Sequence, residues 1–533
     1  NANNGVINII TKNSIDTRGA YANATTGNQI NIDANARYGG DLSNKGSYRI
    51  YGHVKDANES KKGISLTPSD TAKQHSLGLR ADFTPSDEWS ALIQGDVTHS
   101  NLGQNYRGVI DETNINVSFS GDLSRTDSRV MARLENRISP DANQMLQVSW
   151  LKQSGSQTYI KENFESIDID YQMNFLYDSL QLDWGVNYRY NKISFEESVF
   201  LDSDKDLDNL QQYGGLIQAQ YNVIPNYLDL VVGTRLDHND LTGWENQPSA
   251  RVIYKPQERH LIWGAISRSV RTPTLIEFND DYKVNGTVVE EALGGSTGIE
   301  AIDEYAIATY LNGNDKVESE NYVSYELGYR FEGSNTSLDL SAFHTDADNI
   351  AAIRFNTDPN QFLPAIRFFQ LGQFEQAAFA LTQTRVDLDV VSQGETTTNG
   401  FDIVATWQPL NNLSTELGYS YTKIDYDLPE GATPTIGFDS TNRQIFGKVN
   451  YTLFNKHNIF ATLRVENSDA YNTDRYTTMD ITWNYQINQT WSTALSGKNL
   501  FAGSHIQYNN TRETYTLPNY IDECITFSIK ASF

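Results

Sequence analysis

Hydrophobic and polar residues alternate with a period of two along most of this sequence. Between Leu180 and Tyr190, Leu, Trp, Val and Tyr occupy every second position, and Gln, Asp, Gly, Asn and Arg occupy the positions between them. The pattern recurs at 228–237, 324–331, 413–421 and 525–533. A period of two is that of a β-strand, whose successive side chains point to opposite faces. The chain is therefore predicted to be all-β.

The alternating segments are too long for an ordinary soluble sheet. They run for about 10–13 residues, whereas a soluble strand averages five or six and a tilted membrane strand needs about 9–11. One face carries aromatic residues and the other carries charges and glycines, which fits a wall with lipid outside and water or a plug inside. A soluble two-sheet sandwich is the alternative, but it does not explain strand length, chain size and aromatic content together.

Two kinds of connection separate the alternating segments. Short ones, rich in turn-forming residues, lie near 84–87, 139–141, 177–179, 225–226, 255–257, 332–334, 409–411, 455–457 and 488–489. Long ones lie near 56–72, 101–126, 194–210, 272–318, 350–395, 426–441 and 501–521. Short periplasmic turns that alternate with long extracellular loops are typical of bacterial outer-membrane barrels. We therefore predict a transmembrane antiparallel β-barrel of about 22 strands.

The composition agrees with a membrane barrel and excludes several other classes of protein. The 533 residues include 67 acidic and 41 basic side chains, and a net charge of −26 argues against a nucleic-acid partner. Only 38% of the residues are hydrophobic, as expected when half of each strand faces lipid. The sequence contains no run of 18 apolar residues, so it predicts no transmembrane helix. Cys524 is the only cysteine, which excludes an intrachain disulfide.

Five short motifs carry a resemblance to a known family. They are Gly5-Val-Ile-Asn-Ile-Ile-Thr-Lys12, Ser267-Arg-Ser-Val-Arg-Thr-Pro273, Tyr325-Glu-Leu-Gly-Tyr-Arg330, Asn499-Leu-Phe501 and the terminal Phe533. In this order and spacing they resemble the TonB-dependent outer-membrane receptors. The first resembles the last strand of that family's plug domain, and the second its Ser-Arg-x-x-Arg-x-Pro barrel motif. A stretch from Gly233 to Arg251 resembles the subgroup of iron-complex receptors.

The resemblance implies a function and a division of the chain. Residues 1–14 would be a remnant of the plug domain, with its last strand and linker, and 15–533 the receptor barrel. The protein would be a monomer in the bacterial outer membrane, in contact with lipid and lipopolysaccharide. It would import a scarce nutrient, a ferric siderophore or another iron complex, and TonB would supply the energy through an N-terminal segment that is not in this sequence. We therefore expect a truncated receptor, with part of its own plug, that requires no cofactor.

The loop at 350–395 holds the first candidate ligand site. In this family the ligand lies between the long loops and the plug, so we expect loop aromatics and charges to contact it. Aromatic rings and arginines together suit a planar anionic metal chelate, through stacking and charge-assisted hydrogen bonds. The candidate ligand-contacting residues are Arg354, Phe355, Arg367, Phe368 and Phe369. The alternative is that these phenylalanines pack the loop onto itself or onto the barrel rim.

Acidic residues in the loop at 194–210 form a second candidate site. Asp202, Asp204, Asp206 and Asp208 stand at every second position, and carboxylate oxygens are calcium ligands. The stretch lacks the glycine and the acidic twelfth residue of an EF-hand, so a solvated acidic loop is the alternative. The loop at 272–318 is also strongly acidic, and such a rim would repel an anionic chelate at long range.

Three other functions compete with the iron-receptor hypothesis. A passive porin or channel would lack the plug strand that Gly5–Thr11 resembles. A receptor for cobalamin, haem or an oligosaccharide would share the architecture and differ in its loops. An outer-membrane enzyme would need a Ser–His–Asp or similar constellation at one rim, and the sequence shows no such motif, so we expect no enzymatic activity.

Overall fold

The alternating segments fold into strands that pair with one another in chain order. In the computed structural model of the protein, the described residues are 9–61, 63, 66–109, 116–156, 161–196, 209–279, 281–288, 296, 298, 302, 305–434, 440–468, 473–507 and 516–533.

The strands of the first half are β1 Gly19–Gly27, β2 Ile30–Ser43, β3 Gly46–Ala57, β4 Ala72–Phe83, β5 Trp89–Val109, β6 Asn116–Ser139, β7 Ala142–Ser156, β8 Lys161–Tyr177, β9 Leu180–Glu196, β10 Asn209–Ile224, β11 Leu228–Asn239, β12 Gly243–Gln257 and β13 His260–Arg271. Those of the second half are β14 Asp281–Val288, β15 Ala306–Asn312, β16 Glu320–Glu332, β17 Thr336–Phe355, β18 Val386–Leu410, β19 Leu413–Asp427, β20 Ala432–Pro434, β21 Ser440–Leu453, β22 His457–Ser468, β23 Tyr476–Gln486, β24 Trp491–Leu500 and β25 Cys524–Ser532.

Helical structure is confined to short pieces outside the sheet. The α-helices are α1 Leu275–Asn279, α2 Leu363–Gln370 and α3 Phe374–Thr382, and 3-10 turns form at Ile15–Thr17 and Pro359–Phe362. In the described part of the chain, no helix has the length and apolar character needed to cross a membrane.

Pairing between the first and last strands closes the sheet. Strand β25 lies antiparallel to β1 from Tyr21↔Ser532 to Gly27↔Thr526. Around the ring, β13 pairs with β16 and β19 pairs with β21, so β14, β15 and β20 belong to loops. Within the described residues, the closed wall therefore has 22 antiparallel strands, which confirms the predicted barrel. Closure matters because an open sheet edge has no water to bind in a bilayer.

The outer face of the wall is apolar, and no other part of the described chain covers it. Leu77, Leu327 and Leu417 are 64%, 61% and 61% exposed, and they alternate with inward-facing polar residues. An exposed apolar band of this extent is stable only against lipid.

Aromatic rings mark both ends of the apolar band. Tyr213 stacks on His238 at 4.8 Å between ring centroids, near the long-loop ends of the strands. At the short-turn ends, Tyr38 packs near Tyr48 at 6.3 Å, and Trp491 meets the terminal Phe533 edge-on at 6.2 Å. Rings at two levels are the girdles that place a barrel in the membrane interfaces.

Two hairpins are longer than the sequence pattern predicts. Strands β5 and β6 have 21 and 24 residues, and β17 and β18 have 20 and 25. Parts of the predicted loops at 101–126 and 350–395 are therefore strand, and those loop bounds were too wide. The extension of the β17–β18 hairpin is stabilised by apolar burial, because Ala351, Ala352 and Val390 are almost fully buried there.

Aromatic side chains on the inner wall lie over glycines of neighbouring strands. A Cβ atom on Gly418 would lie 2.2 Å from Cε1 of Phe446, and a Cβ on Gly328 would lie 2.2 Å from Nε1 of Trp263. The ring thus occupies the space that a side chain would need. This arrangement explains why glycines recur on the polar face of the alternation, since ring-over-glycine contacts fix the register of paired strands.

We expect Gly418→Val to destabilise the barrel by about 1–3 kcal/mol, because Phe446 must leave its position when the pocket is overfilled. Gly447→Val is the matched control, since nothing lies within 4 Å of a Cβ at Gly447. Urea unfolding in detergent, followed by tryptophan fluorescence, measures both variants. Equal midpoints for the two would contradict the packing role assigned to Gly418.

Candidate ligand-binding loops

Two extracellular loops join into one folded unit, which we call the helical loop body. It comprises β14, β15 and residues 356–385 with α2 and α3. Strand β15 runs parallel to the beginning of β18, from Thr309↔Val386 to Asn312↔Asp389. Parallel pairing of segments so distant in sequence requires the loop before β16 to fold against the loop before β18.

The helical loop body has its own hydrophobic core. Buried apolar side chains from both loops meet there, namely Ile302, Ile307, Phe362, Ala365, Leu381 and Val386. The spacing of Phe362, Ala365 and Phe369 places them on one side of α2, as a helix of 3.6 residues per turn requires. The Arg385 guanidinium lies 3.9 Å above the Tyr310 ring and pairs with Asp387 at 2.6 Å. These contacts join the two loops into one packed unit.

The five residues predicted to bind ligand divide into two groups. Phe369 packs against the core of the helical loop body and meets Phe374 edge-on at 5.0 Å, while Phe368 is half-buried. Arg354, Phe355 and Arg367 are exposed. Within the described part of the chain, neither guanidinium of that group takes part in an ion pair. Their contact with a ligand stays a prediction.

Other apolar side chains of this loop, which were not among the five candidate ligand residues, are more exposed than the predicted Phe355, which is 38% exposed. Leu363, Leu371, Phe374 and Phe379 are 56–68% exposed on α2, on α3 and on the turn between them. They could not be selected from the sequence because the two helices were not predicted, and only a helix assigns Phe362 to the core and Phe379 to the surface. The helical spacing of the buried residues was the available signal.

An ion triad anchors the start of the long loop that follows β13. Arg271, the last residue of β13, donates to both Glu277 carboxylate oxygens at 3.0 and 3.1 Å and to Glu320 at 2.6 Å. Glu320 also accepts the Ala351 amide at 3.0 Å. The triad therefore links the end of β13, helix α1, the start of β16 and strand β17.

Local sequence explains how Glu277 reaches the triad. Thr274 precedes α1 and Glu277 follows it by three residues, and each accepts the other's backbone N–H, at 2.7 and 3.2 Å. This reciprocal pair is a capping box. Burial alone would raise the pKa of Glu277, but the hydrogen bonds from Arg271 and Thr274 outweigh burial, and the pKa lies below its usual value. Glu277 is therefore a carboxylate at neutral pH.

A second set of loop contacts centres on Asp522, just before β25. Its carboxylate accepts the Lys61 amide at 3.0 Å and the Ser504 hydroxyl at 2.5 Å. The Leu517 amide donates to the Asn105 carbonyl at 2.8 Å. The last loop is thus fastened to the loop after β3 and to the extended β5.

The four aspartates of the predicted calcium site, Asp202, Asp204, Asp206 and Asp208, lie outside the described residues. Among the residues that the structure describes, no group of three or more His, Cys, Asp or Glu side chains is arranged to hold a metal ion.

The segment before β1 is attached to the inner wall near the short-turn end. Ser14 is fully buried, its amide donates to Asp82 at 2.8 Å, and its hydroxyl lies 2.6 Å from the Ser47 hydroxyl. Arg49 donates to the Lys12 carbonyl at 3.0 Å, and Arg80 to the Thr11 hydroxyl at 2.6 Å. Because these wall residues point inward, the chain enters β1 from inside the barrel.

The architecture and the comparisons together define the family. A closed barrel of 22 strands with long outer loops is the form of the large plugged outer-membrane transporters. The family model described as TonB dependent receptor-like, beta-barrel matches residues 2–500. The chain belongs to this family, which lies in the bacterial outer membrane and comprises receptors and transporters.

Similar proteins include iron receptors. The ferric enterobactin receptor of Pseudomonas aeruginosa is 29% identical over 120 residues, which are 22% of this chain and 15% of that relative's length. The siderophore receptor PirA of Acinetobacter baumannii has a TM-score of 0.71 at 14% identity, over 98% of this chain and 81% of the other. The FrpB iron transporter of Neisseria meningitidis has a TM-score of 0.71 at 13% identity, over 97% and 81%. At these identities the structures show a shared fold.

We expect Arg271→Met to lower the free energy of opening the loop after β13 by about 3–5 kcal/mol, because the variant leaves two buried carboxylates without a counter-ion. Arg330→Met is the control, since the Arg330–Asp339 pair is 52% and 43% exposed and its loss costs about 0–1 kcal/mol. Hydrogen exchange of residues 305–319 reports the loosening. Unchanged exchange in Arg271→Met would contradict the anchoring role of the triad.

The lowered pKa of Glu277 also predicts a pH dependence. A carboxylate whose folded pKa is lowered stabilises the folded state above its unfolded pKa, about 4.3, and this stability is lost as pH falls through the folded value. Exchange protection in this loop, corrected for the intrinsic effect of pH, should stay constant from pH 7 to 5 and fall below about pH 4. A loss already complete at pH 5 would contradict this assignment.

Proposed function

We propose that this chain forms the barrel of a receptor that imports a ferric siderophore across the outer membrane with energy supplied through TonB. The observation that carries the proposal is the helical loop body, a packed extracellular element that presents cations and aromatic rings. Cations and aromatic rings together suit an anionic metal chelate. Family membership and the iron receptors among the similar proteins support the same function.

The receptor would also need a domain inside the barrel. A barrel of 22 strands is wide enough to leak, so its lumen must be plugged. The segment just before β1 supports a plug joined to that strand. Hydrogen bonds of Thr11, Lys12 and buried Ser14 hold this segment against the inner wall. In this proposal residues 1–14 are the end of that plug, TonB acts through a segment N-terminal to it, and the receptor works as a monomer.

Arg354 and Arg367 are the proposed ligand contacts, together with the rings beside them. Both guanidinium groups are exposed, and the described residues supply no carboxylate partner for either. An unpaired guanidinium offers planar, charge-assisted hydrogen bonds to an anionic chelate. Phe355 is exposed next to Arg354 and Phe368 is half-buried next to Arg367, so each cation has an aromatic neighbour for stacking.

A binding screen on the receptor with its N-terminal domain tests the function. We expect one ferric siderophore to quench tryptophan fluorescence in a saturable manner, with haem and cobalamin binding at least tenfold more weakly. Saturable binding of haem, cobalamin or an oligosaccharide alone would replace iron chelates with that ligand, and no binding of any of these compounds would contradict the proposal.

The double variant Arg354→Ala/Arg367→Ala should weaken binding of the siderophore about tenfold or more, because it removes two charged donors. Arg475→Ala, at an exposed position in a different loop, shows the effect of losing one loop cation elsewhere. Equal affinity in the double variant and the wild type would exclude Arg354 and Arg367 from the site.

A further inference from the structure

One sector of the inner wall is basic, although the chain as a whole carries a charge of −26. We call this sector, formed by the inner faces of β24, β25 and β1–β4, the basic wall. Ile50, Leu77 and Ile529 on these strands are 41–64% exposed and face the lipid. Because successive side chains of a strand point to opposite faces, the residues next to them face the lumen. Its inward cations are Arg37, Arg49, Lys55, Arg80, Lys498 and Lys530.

Carboxylates do not balance these cations. Three carboxylates share the basic wall with its six cations: Asp82 pairs with Arg80, Asp41 pairs with Arg18, which precedes β1, and Asp33 contacts His53, which is charged only when it is protonated. In the described part of the chain, the other five cations of the wall form no ion pair with a carboxylate. The basic wall therefore carries excess positive charge into the lumen.

Two of the unbalanced cations are partly removed from water. Arg49 is only 8% exposed, and its guanidinium donates a hydrogen bond to the neutral carbonyl of Lys12. The Nε atom of Arg37 is buried without a hydrogen-bond partner among the described residues. Buried charges are normally paired because their desolvation costs several kcal/mol each. An anion that enters the lumen would supply the missing interaction.

Aromatic rings hold the cations in place on the wall. Arg37 lies 5.0 Å and Lys530 lies 5.5 Å from the centre of the Tyr21 ring, so two cations share one ring. Arg49 lies 5.9 Å from the Tyr51 ring. Cation–π contacts position a charge without neutralising it, which leaves the charges able to attract an anion.

The unbalanced cations are distributed along the height of the barrel. Lys498 lies near the extracellular end of β24 and Lys55 near that of β3, whereas Arg49 lies close to the short turn before β3. Lys55 and Arg49 are six residues apart, or about 20 Å along the strand. Another sector has the opposite excess: on β8–β11 the inward carboxylates include Asp168, Asp170, Asp183, Asp229 and Asp237, and the inward cations are Arg189 and Arg235.

We propose that the basic wall is the path along which an anionic metal chelate crosses the barrel. The inference rests on the proposed import function and goes beyond it by naming the sector of the wall that the ligand follows. A row of separate cations binds an anion at several weak sites, which lets the ligand enter and also leave. The charges near Tyr21 would act at the periplasmic half of the path.

The double variant Arg37→Gln/Lys530→Gln tests this path in cells that express the receptor with its N-terminal domain. Ferric enterobactin, an anionic chelate, is the first probe, and the ferric siderophore that binds in the screen replaces it where the wild type does not import ferric enterobactin. We expect the initial uptake rate to fall at least fivefold while surface affinity, measured in energy-depleted cells, stays within twofold of the wild type. Lys448→Gln/Arg464→Gln is the matched control, since it removes two inward cations that are paired with Glu416 and Asp480 on another sector.

The outcomes separate this inference from the proposed function. Wild-type cells that neither bind nor import any ferric chelate would refute the function. Wild-type uptake with equal rates in the two double variants would refute the path alone. A loss of uptake that follows a loss of surface binding or of folded receptor would assign the cations a structural role and also refute the path.

A second measurement does not depend on the transported ligand. The purified chain in a planar bilayer under a KCl gradient gives a reversal potential that reports ion selectivity. We expect Arg37→Gln/Lys530→Gln to shift this potential toward cation selectivity relative to the wild type. A potential equal to that of the wild type would show that the basic wall does not attract anions and would overturn the inference.

Discussion

The pairing of β1 with β25 is the constraint on which the rest of the molecule depends. In hydrocarbon every backbone N–H and C=O must be paired within the protein, and only a closed sheet achieves this. The register from Tyr21↔Ser532 to Gly27↔Thr526 completes the ring. Closure then fixes which side chains face lipid and which face the lumen, and it brings the beginnings of the loops together at one end. Both the helical loop body and the basic wall depend on that geometry, because each joins residues from strands or loops that closure brings together.

Much of the wall could be predicted from the sequence because its physics is local. Alternation assigned Leu327 and Tyr329 to one face and Glu326 and Arg330 to the other, and turn-forming residues located the short connections. The extension of β17 and β18 beyond the membrane could not be predicted, because it depends on burial of Ala351 and Ala352 against residues that are distant in sequence. The parallel pairing of β15 with β18 is also non-local.

The candidate site was harder to predict for the same reason. Composition identified the loop with Phe369 and Arg367, but only the folded helices show that Phe369 packs toward a core while Arg367 is exposed. On the inner wall, Arg189 pairs with Asp168 and Lys448 pairs with Glu416. The excess of cations on β24–β4 was not visible along the chain, since it results from six strands brought together by closure.

Charge gives the molecule a direction. In the proposed import route, the acidic loops would repel anions at long range, the exposed arginines of the helical loop body would attract them at short range, and the basic wall would continue that attraction inside the barrel.

Energised import is the central proposal. The most direct test is uptake of the radiolabelled ferric siderophore that binds in the screen, by cells that express the receptor, before and after a protonophore collapses the proton gradient. Saturable uptake that stops when the gradient collapses is the expected result. Uptake that rises linearly with concentration and continues after collapse would contradict it and identify a passive channel.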